Sequence, residues 1–225
     1  MANQFPPIFI ISLKHSPRRQ TIANRLDGLG IRFEFIDAVY GKDLTAEELE
    51  QVDYEFYPQK YLSPKKLTLG EIGCAMSHIK VYEHIVANNI QQAIILEDDA
   101  IVSQEFERIV KDVLNKIPTR KEIIFFDHGK AKSWLFKRML VDRYKLARYR
   151  EPSKNSKRCI ITAAAYLITL SGAQKLLKHA YPIRMPADYL TGLLQMTHIH
   201  AYGVEPPCVF RGIGSEVNEI EHRYK

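Results

Sequence analysis

The chain has 225 residues, of which 46% are hydrophobic, so it can bury a substantial core in one domain. The formal net charge is +6, but no nucleic-acid-binding module is visible, so we expect no nucleic acid partner. No apolar run approaches the roughly 20 residues of a membrane-spanning helix, and no signal stretch opens the N-terminus; both observations predict a cytoplasmic protein.

The first part of the chain predicts a strand, a helix and a second strand. Residues 7–13 form an apolar run, and Ser16 followed by Pro17 is typical of a helix start. Residues 31–36 predict a second strand that ends at Asp37. The two strands should pair in parallel, because a crossover helix connects them.

Two capping boxes predict the starts of the next two helices. Thr45 with Glu48 marks the first start, and Thr68 with Glu71 marks the second. The second helix carries an apolar stripe, with Glu71 and His78 on its polar face. The segment between the helices is rich in tyrosine and is expected to be an irregular loop that covers a site.

The most informative stretch is a buried strand that stops at three acids. Residues 93–96 are aliphatic, and Glu97, Asp98 and Asp99 follow them directly. Three adjacent anions repel one another unless a cation or hydrogen-bond donors lie among them. Mn2+ or Mg2+ carrying the phosphates of a substrate would supply that cation. The alternative is a solvated acidic turn before a helix that begins near Ser103.

Other acids also follow predicted strands. The apolar spacing after Ser103 predicts a helix up to Pro118, and residues 122–126 then form a strand that ends at Asp127. Asp37, the acidic triplet and Asp127 would therefore share one edge of an open parallel α/β sheet, which is where such sheets bind ligands.

Residues 130–158 form a basic segment with interleaved apolar residues. Lys and Arg dominate it, opposed only by Asp142 and Glu151, and Trp134, Leu135 and Phe136 lie among them. We predict an insertion that faces an anionic membrane surface or a phosphorylated acceptor. The alternative is a solvated basic helix over the core.

The last part of the chain alternates strands and short helices. Residues 159–169 predict a strand, a proline-bounded loop leads to Asp188, and residues 198–204 predict a last strand. The tail after Pro207 is expected to be irregular.

Several separated motifs, which run from about residue 8 to about residue 190, resemble glycosyltransferase family 25. This family includes bacterial lipooligosaccharide galactosyltransferases and animal collagen galactosyltransferases. The motifs are Ile11-Ser12-Leu13 with Arg19, Asp37-Ala38-Val39, Gly70-Glu71-Ile72-Gly73-Cys74 with Ser77-His78, Leu96-Glu97-Asp98-Asp99, and Ala165-Tyr166-Leu167-Ile168 with Gly172-Ala173.

The resemblance implies a GT-A-like, Rossmann-type, mostly parallel sheet flanked by helices in a single domain. It implies an inverting, metal-dependent transferase, similar to a beta-1,4-galactosyltransferase, that uses Mn2+ or Mg2+. The donor would be a UDP-sugar, with galactose as the first choice. The acceptor would be a lipooligosaccharide or lipopolysaccharide glycolipid, reached from the inner membrane surface as a peripheral protein.

The resemblance also implies roles for single residues in metal and sugar binding. Asp99 would bind the metal, and His198 or His200 would complete the metal sphere. Glu97 would bind the ribose or sugar hydroxyls. Asp98 would support the residues that bind the metal and the sugar, without direct contact, or lie at the rim of the site.

Further implied roles concern the nucleotide, the acceptor and the base. Glu71 and His78 would face donor or acceptor, with a helix cap as the alternative for Glu71. Asp188 would be the base, with a helix N-cap as its alternative, and Asp127 is the reserve candidate. The uridine pocket would be lined by Ser12, Leu13, Arg19, Asp37 and Val39, with Arg19, or its neighbour Arg18, reaching phosphate.

Two other classes of function remain open on the sequence. A metal-dependent phosphoesterase or nucleotidyltransferase would also use clustered carboxylates and arginines. A non-catalytic basic membrane-binding protein would explain the segment 130–158 but not the acids at the strand ends.

Overall fold

The computed structural model describes residues 5–61 and 65–212. Strands and helices alternate along most of this part of the chain. In order they are β1 (Ile8–Ser12), α1 (Arg18–Gly28), β2 (Glu34–Asp37), α2 (Ala46–Glu50), α3 (Phe56–Tyr61), α4 (Leu69–Ala87), β3 (Gln92–Glu97), β4 (Ala100–Val102), α5 (Phe106–Lys116), β5 (Ile123–Phe125), β6 (Ser133–Met139), β7 (Lys145–Tyr149), β8 (Ala165–Thr169), α6 (Leu170–Leu177), α7 (Ala187–Gly192), α8 (Leu194–Thr197), β9 (Ala201–Glu205) and β10 (Val209–Arg211).

Eight of these strands form one sheet in the order β2-β1-β3-β8-β5-β9-β7-β6. The pairings make β7 and β8 run opposite to the other six strands. The expected α/β class, with a central sheet flanked by helices, is therefore confirmed. The sheet is mixed, because six of its eight strands run in one direction but four of its seven pairings are antiparallel. The predicted strand-helix-strand unit at the start of the chain is confirmed too, because β1 and β2 pair in parallel across α1.

The reversed strand β8 lies in the middle of the sheet, between β3 and β5. It is shorter than the predicted strand over residues 159–169. Thr162 has a φ of 91°, which breaks extended structure, and Ile161 forms only an isolated bridge with Gly129. Residues 159–164 therefore approach the sheet as a buried loop.

Both faces of the sheet are covered. Side chains alternate along β3, so Ile95 packs into the layer that contains α4, α6 and α7, whereas Ile94 and Leu96 pack into the layer that contains α1 and α5. Continuing this alternation, Glu97 points to the α4 side. The carboxylate of Glu97, the last residue of β3, thus lies beneath α4.

The basic segment is a β-hairpin and not a helix over the core. β6 and β7 pair in antiparallel fashion and form the outer edge of the sheet next to β9. Part of the tail after Pro207, which was expected to be irregular, forms β10, and β10 pairs with β4; residues 213–225 lie outside the described residues. No helix among residues 5–61 and 65–212 combines the length and the apolar composition needed to cross a membrane.

Candidate active site

A cavity of about 420 Å³ opens at the carboxyl ends of β1 and β3, against the first turns of α4. This is the edge at which ligands bind in open α/β sheets. Its size falls in the usual range of small-molecule sites, roughly 300–1,000 Å³. The lining residues are Ile11, Ser12, Leu13, Arg18, Ala38, Val39, Tyr40, Gly41, Lys42, Thr68, Leu69, Gly70, Cys74, Ser77, His78, Glu97, Asp98 and Asp99.

The three acids after β3 point to different partners. Glu97 Oε1 lies 3.1 Å from Nε2 of His78 on α4. The hydroxyl of Ser12 donates to Asp98 Oδ2 at 2.7 Å, which ties the acidic turn to the end of β1. Asp99 differs from both, because its buried Oδ1 has no hydrogen-bond partner among the described residues.

Asp99 offers a place for a divalent cation. Burial raises the pKa of its carboxyl to about 7, and the charges of Glu97 and Asp98 act in the same direction. A buried carboxylate oxygen without a partner is costly unless a cation or a donor reaches it. Carboxylate oxygens are the ligands that Mg2+ and Mn2+ prefer, so the donor set fits such an ion.

A buried polar chain fixes Glu97 from behind. His78 is fully buried, and its Nδ1 lies 2.8 Å from the hydroxyl of Tyr166 on β8, which in turn lies 2.7 Å from the hydroxyl of Tyr82 on α4. Cys74 completes a trio with His78 and Glu97, whose ligand atoms lie within 4.8 Å of one another. Burial raises the pKa of the Cys74 thiol well above its usual value, so this sulfur stays protonated and is a poor metal ligand without further change.

Close backbone packing shapes the opposite wall of the cavity. A Cβ on Gly73 of α4 would lie 2.7 Å from Val39 O and 2.8 Å from Gly41 N. The hydroxyl of Ser77, one turn further along α4, accepts a hydrogen bond from Val39 N at 2.8 Å. The glycine therefore lets the segment 38–42 lie directly on the helix and line the cavity.

The predicted uridine residues divide into two groups. Ser12, Leu13 and Val39 line the cavity, whereas Arg19 and Asp37 do not. The Arg19 guanidinium lies 2.7 Å from Asp37 Oδ1 and 4.3 Å from the centre of the Phe35 ring. Its hydrogen bond holds the pKa of Asp37 below the usual value.

The neighbouring arginine is the one that reaches the cavity. Arg18 lines it, and the positive charge of Arg18 opposes the upward shift of the Asp99 pKa. Arg18 is thus better placed than Arg19 to meet a phosphate.

Glu71 and the two late histidines do not have the predicted site positions. The Glu71 carboxylate accepts a hydrogen bond from Thr68 N at 2.9 Å, and Glu71 N donates to the Thr68 hydroxyl. Glu71 therefore caps α4, which was the alternative role for this residue. His198 and His200 directly precede β9, whose Ala201 pairs with the first residue of β5. They therefore lie at the amino edge of the sheet, away from Asp99, and the metal role for either is wrong.

The environment of His198 agrees with this placement. Its Nδ1 lies 2.8 Å from Glu151 Oε1. Both histidines are exposed.

Asp188 lies in the first turn of α7, and no side-chain bond caps that helix. Burial raises the pKa of Asp188, and the charges of Glu97 and Glu71 act in the same direction, against the backbone N–H groups of Thr162 and Tyr189. A carboxylate with a raised pKa is a stronger base than an exposed aspartate, so Asp188 is suited to accept a proton.

Asp127 follows β5 and is half-buried. Burial raises its pKa, and Arg211, whose Nε lies 3.4 Å from Asp127 Oδ2, lowers it again. Arg211 also opposes the upward pKa shift of Asp99. Sequence reasoning missed Arg211 because the end of the chain was expected to be irregular; the short apolar run before it, Val209 and Phe210, was the available signal of a strand.

Aromatic rings pack beside Asp188. The Tyr189 ring lies 5.3 Å from that of Tyr57 and 5.0 Å from that of Tyr61, both in edge-to-face arrangements. Residues 56–61 of the tyrosine-rich segment thus form helix α3 and pack on α7, whereas an irregular loop was expected. Its Pro64, part of that expectation, lies outside the described residues.

Comparison with known proteins identifies relatives of one kind. The chain is 29% identical over 207 residues to procollagen galactosyltransferase 1-A of Xenopus laevis, covering 86% of this chain and 32% of that protein. It is 31% identical over 182 residues to a glycosyltransferase 25 family member of Drosophila melanogaster, covering 76% and 27%. The chain spans about a third of the length of the curated relatives it matches first.

Some relatives are named inactive. The chain is 33% identical over 119 residues to a probable inactive glycosyltransferase 25 family member 3 of Rattus norvegicus, covering 50% of this chain and 21% of that protein. Among solved structures, mouse xyloside xylosyltransferase 1 is similar with a TM-score of 0.41 and 14% identity, covering 85% of this chain and 69% of that one.

The family comparison covers most of the chain. Residues 5–191 match the model described as glycosyltransferase family 25 (LPS biosynthesis protein). That range includes the cavity, the acidic turn and Asp188, and it leaves out Arg211. The chain therefore belongs to glycosyltransferase family 25.

Proposed function

We propose that this chain is a metal-dependent glycosyltransferase that moves a hexose, galactose as the first choice, from a UDP-sugar to a hydroxyl of a glycolipid acceptor, with inversion. The observation that carries the proposal is Asp99, a partly buried carboxylate with an unpartnered oxygen at the rim of the cavity. Family membership supports the transfer of a glycosyl group.

The cavity supports the binding of a nucleotide diphosphate sugar. Ser12, Leu13 and Val39 would hold the nucleoside, and Arg18 would hold the diphosphate. Glu97, fixed by His78, would accept hydrogen bonds from sugar hydroxyls. A divalent ion held by Asp99 would neutralise charge on the diphosphate as it leaves.

Asp188 is our candidate for the base. The acceptor oxygen attacks C1 of the sugar from the face opposite the diphosphate, and the new O–C1 bond forms as the bond from C1 to the diphosphate oxygen breaks. The electrons of that bond leave with UDP, and the acceptor proton moves to the Asp188 carboxylate. Asp127 remains the reserve candidate for this proton.

Two classes of acceptor are suggested by the relatives. The family description names LPS biosynthesis, and the vertebrate relatives are named for procollagen. We favour a lipooligosaccharide or lipopolysaccharide core with a beta-1,4 linkage. Release of UDP with purified core oligosaccharide, compared with a collagen peptide as acceptor, distinguishes the two.

The first experiment measures thermal stability with a panel of UDP-sugars, each with Mn2+ and with a chelator. A ligand at about 100 times its dissociation constant adds roughly 2.7 kcal/mol, a rise of about 5–10 °C for a chain of this size. We expect one UDP-sugar to raise the melting temperature only with metal. Asp99→Asn should lose both this rise and transfer, whereas Asp27→Asn, an exposed acid on α1, should keep them.

Two other results would change the assignment. Release of inorganic phosphate or pyrophosphate in place of UDP would indicate a phosphoesterase or nucleotidyltransferase. Binding of a UDP-sugar without turnover would indicate a non-catalytic member of the family, a possibility favoured by the relatives that are named inactive.

A further inference from the structure

Strand β6 carries an apolar bulge. Ser133 pairs with Tyr149 and Lys137 pairs with Ala147, so the register shifts between Ser133 and Lys137, and β6 has more residues there than β7. The extra residues fall within the run of Trp134, Leu135 and Phe136. The side chains of Leu135 and Phe136 are each 94% exposed, so this run projects from the edge of the sheet and adds nothing to the core.

A basic cavity adjoins this bulge. It has a volume of about 290 Å³ and is lined by Lys132, Arg150 and Arg158 together with Glu151, Ser153 and Ser156. The Arg150 guanidinium lies 5.1 Å from the centre of the Trp134 ring, so one residue joins the cavity to the bulge. The two features therefore form one continuous surface.

The cations of the cavity are available to an anion. The acid among the lining residues, Glu151, already contacts His198 at 2.8 Å. Within residues 5–61 and 65–212, none of Lys132, Arg150 and Arg158 forms an ion pair. A phosphate group would supply the missing negative charge, and the serine hydroxyls would supply donors.

We propose that this surface, the bulge 134–136 with the basic cavity, docks on an anionic phospholipid bilayer. Leu135 and Phe136 enter the boundary between headgroups and acyl chains, Trp134 lies at headgroup level, and the cavity binds a lipid phosphate. The inference deepens the proposed function, and it rests on that function only for the idea that the acceptor is a glycolipid in the same membrane.

Charge favours a bilayer over a second copy of the chain. As an edge strand, β6 has a free side on which another strand can pair. Lys137 on this strand pairs with Glu205, but Arg138 lies beside it. The adjoining cavity adds Lys132, Arg150 and Arg158, so pairing of two copies would bring like charges together. An anionic lipid surface attracts the same residues.

The test uses the single tryptophan of the chain, Trp134, as its probe. Purified protein is mixed with vesicles of phosphatidylcholine alone or with phosphatidylglycerol added, and binding is measured by co-sedimentation. We expect binding only with phosphatidylglycerol, together with a blue shift of Trp134 emission and quenching by brominated acyl chains. No binding to either vesicle would overturn the proposal.

Variants separate insertion from charge. Leu135→Ser with Phe136→Ser should weaken binding about 100-fold. Lys132→Glu with Arg158→Glu should remove the preference for phosphatidylglycerol. The control is Phe210→Ser, which alters a residue that is 53% exposed on β10 and should bind as the unaltered chain does.

Further measurements keep the outcomes distinct. Each variant is checked by circular dichroism, and its transfer to a water-soluble acceptor should be unchanged because the altered residues lie outside the cavity at Asp99. Vesicle binding without transfer would refute the proposed function and leave this inference intact. The protein could instead fail to bind vesicles and form a dimer that Leu135→Ser with Phe136→Ser converts to a monomer. That result would overturn the proposal and assign the surface to a second copy of the chain.

Discussion

An alanine at position 73 tests the packing that shapes the cavity. The added Cβ would lie 2.7 Å from Val39 O and 2.8 Å from Gly41 N, both backbone atoms that cannot swing aside. Overpacking of this kind costs about 1–3 kcal/mol, whereas alanine favours the helix over glycine by about 1 kcal/mol. We therefore expect a net loss of up to about 2 kcal/mol, which lowers the melting temperature by up to about 8 °C.

The matched control is the same substitution where space is open. Gly28 ends α1, and a Cβ there meets no atom within 4 Å, so Gly28→Ala should stabilise the chain slightly. Thermal unfolding by circular dichroism measures both variants. Calorimetry should also show weaker UDP binding for Gly73→Ala alone, because the segment 38–42 that moves is part of the cavity wall. Equal shifts of the melting temperature in the two variants would refute the reasoning.

Other expected outcomes concern the phosphate-binding arginine, the helix cap and the buried hydroxyl pair. Arg18→Ala should weaken UDP binding about 10- to 100-fold, because a charge-assisted hydrogen bond is lost, whereas Arg19→Ala should weaken it much less. Calorimetry measures the UDP affinity of both variants. A larger loss of affinity in Arg19→Ala than in Arg18→Ala would contradict the placement of Arg18. Glu71→Ala should lower stability by about 1 kcal/mol, measured by urea unfolding, and leave the UDP-sugar affinity unchanged; a lost affinity would return this residue to the site. Tyr82→Phe should lower the free energy of unfolding by about 1 kcal/mol, because the buried Tyr166 hydroxyl loses one of its two partners and keeps His78; unchanged urea unfolding would contradict the contact.

Local patterns predicted the elements that depend on neighbouring residues. The capping box of Thr68 and Glu71 gave the start of α4, and the aliphatic run before Glu97 gave β3. These signals work because a cap and a buried strand are decided by residues close together in the chain. The convergence of Ser12 and Asp98 followed from the expectation that strand ends share an edge.

Features that depend on distant pairing were missed. The bulge at Trp134 to Phe136 could not be recognised, because its apolar side chains face solvent and show no core periodicity. His198 and His200 were placed at the site by the family resemblance, whereas the edge on which they lie depends on the direction of β9. The direction of β9 is set by its parallel pairing with β5. Neither the composition nor the spacing of residues 198–204 predicts that pairing.

The central position of β8 has a consequence for how the chain is made. Both of its neighbours, β3 and β5, precede it along the chain, so during synthesis they wait with open edges until residue 169 has emerged. At about 5–20 residues per second this delay amounts to seconds, far longer than collapse takes. A nascent chain arrested before β8 therefore exposes one edge of β3 and both edges of β5, whose other neighbour β9 also comes later, and it needs protection from pairing with other chains.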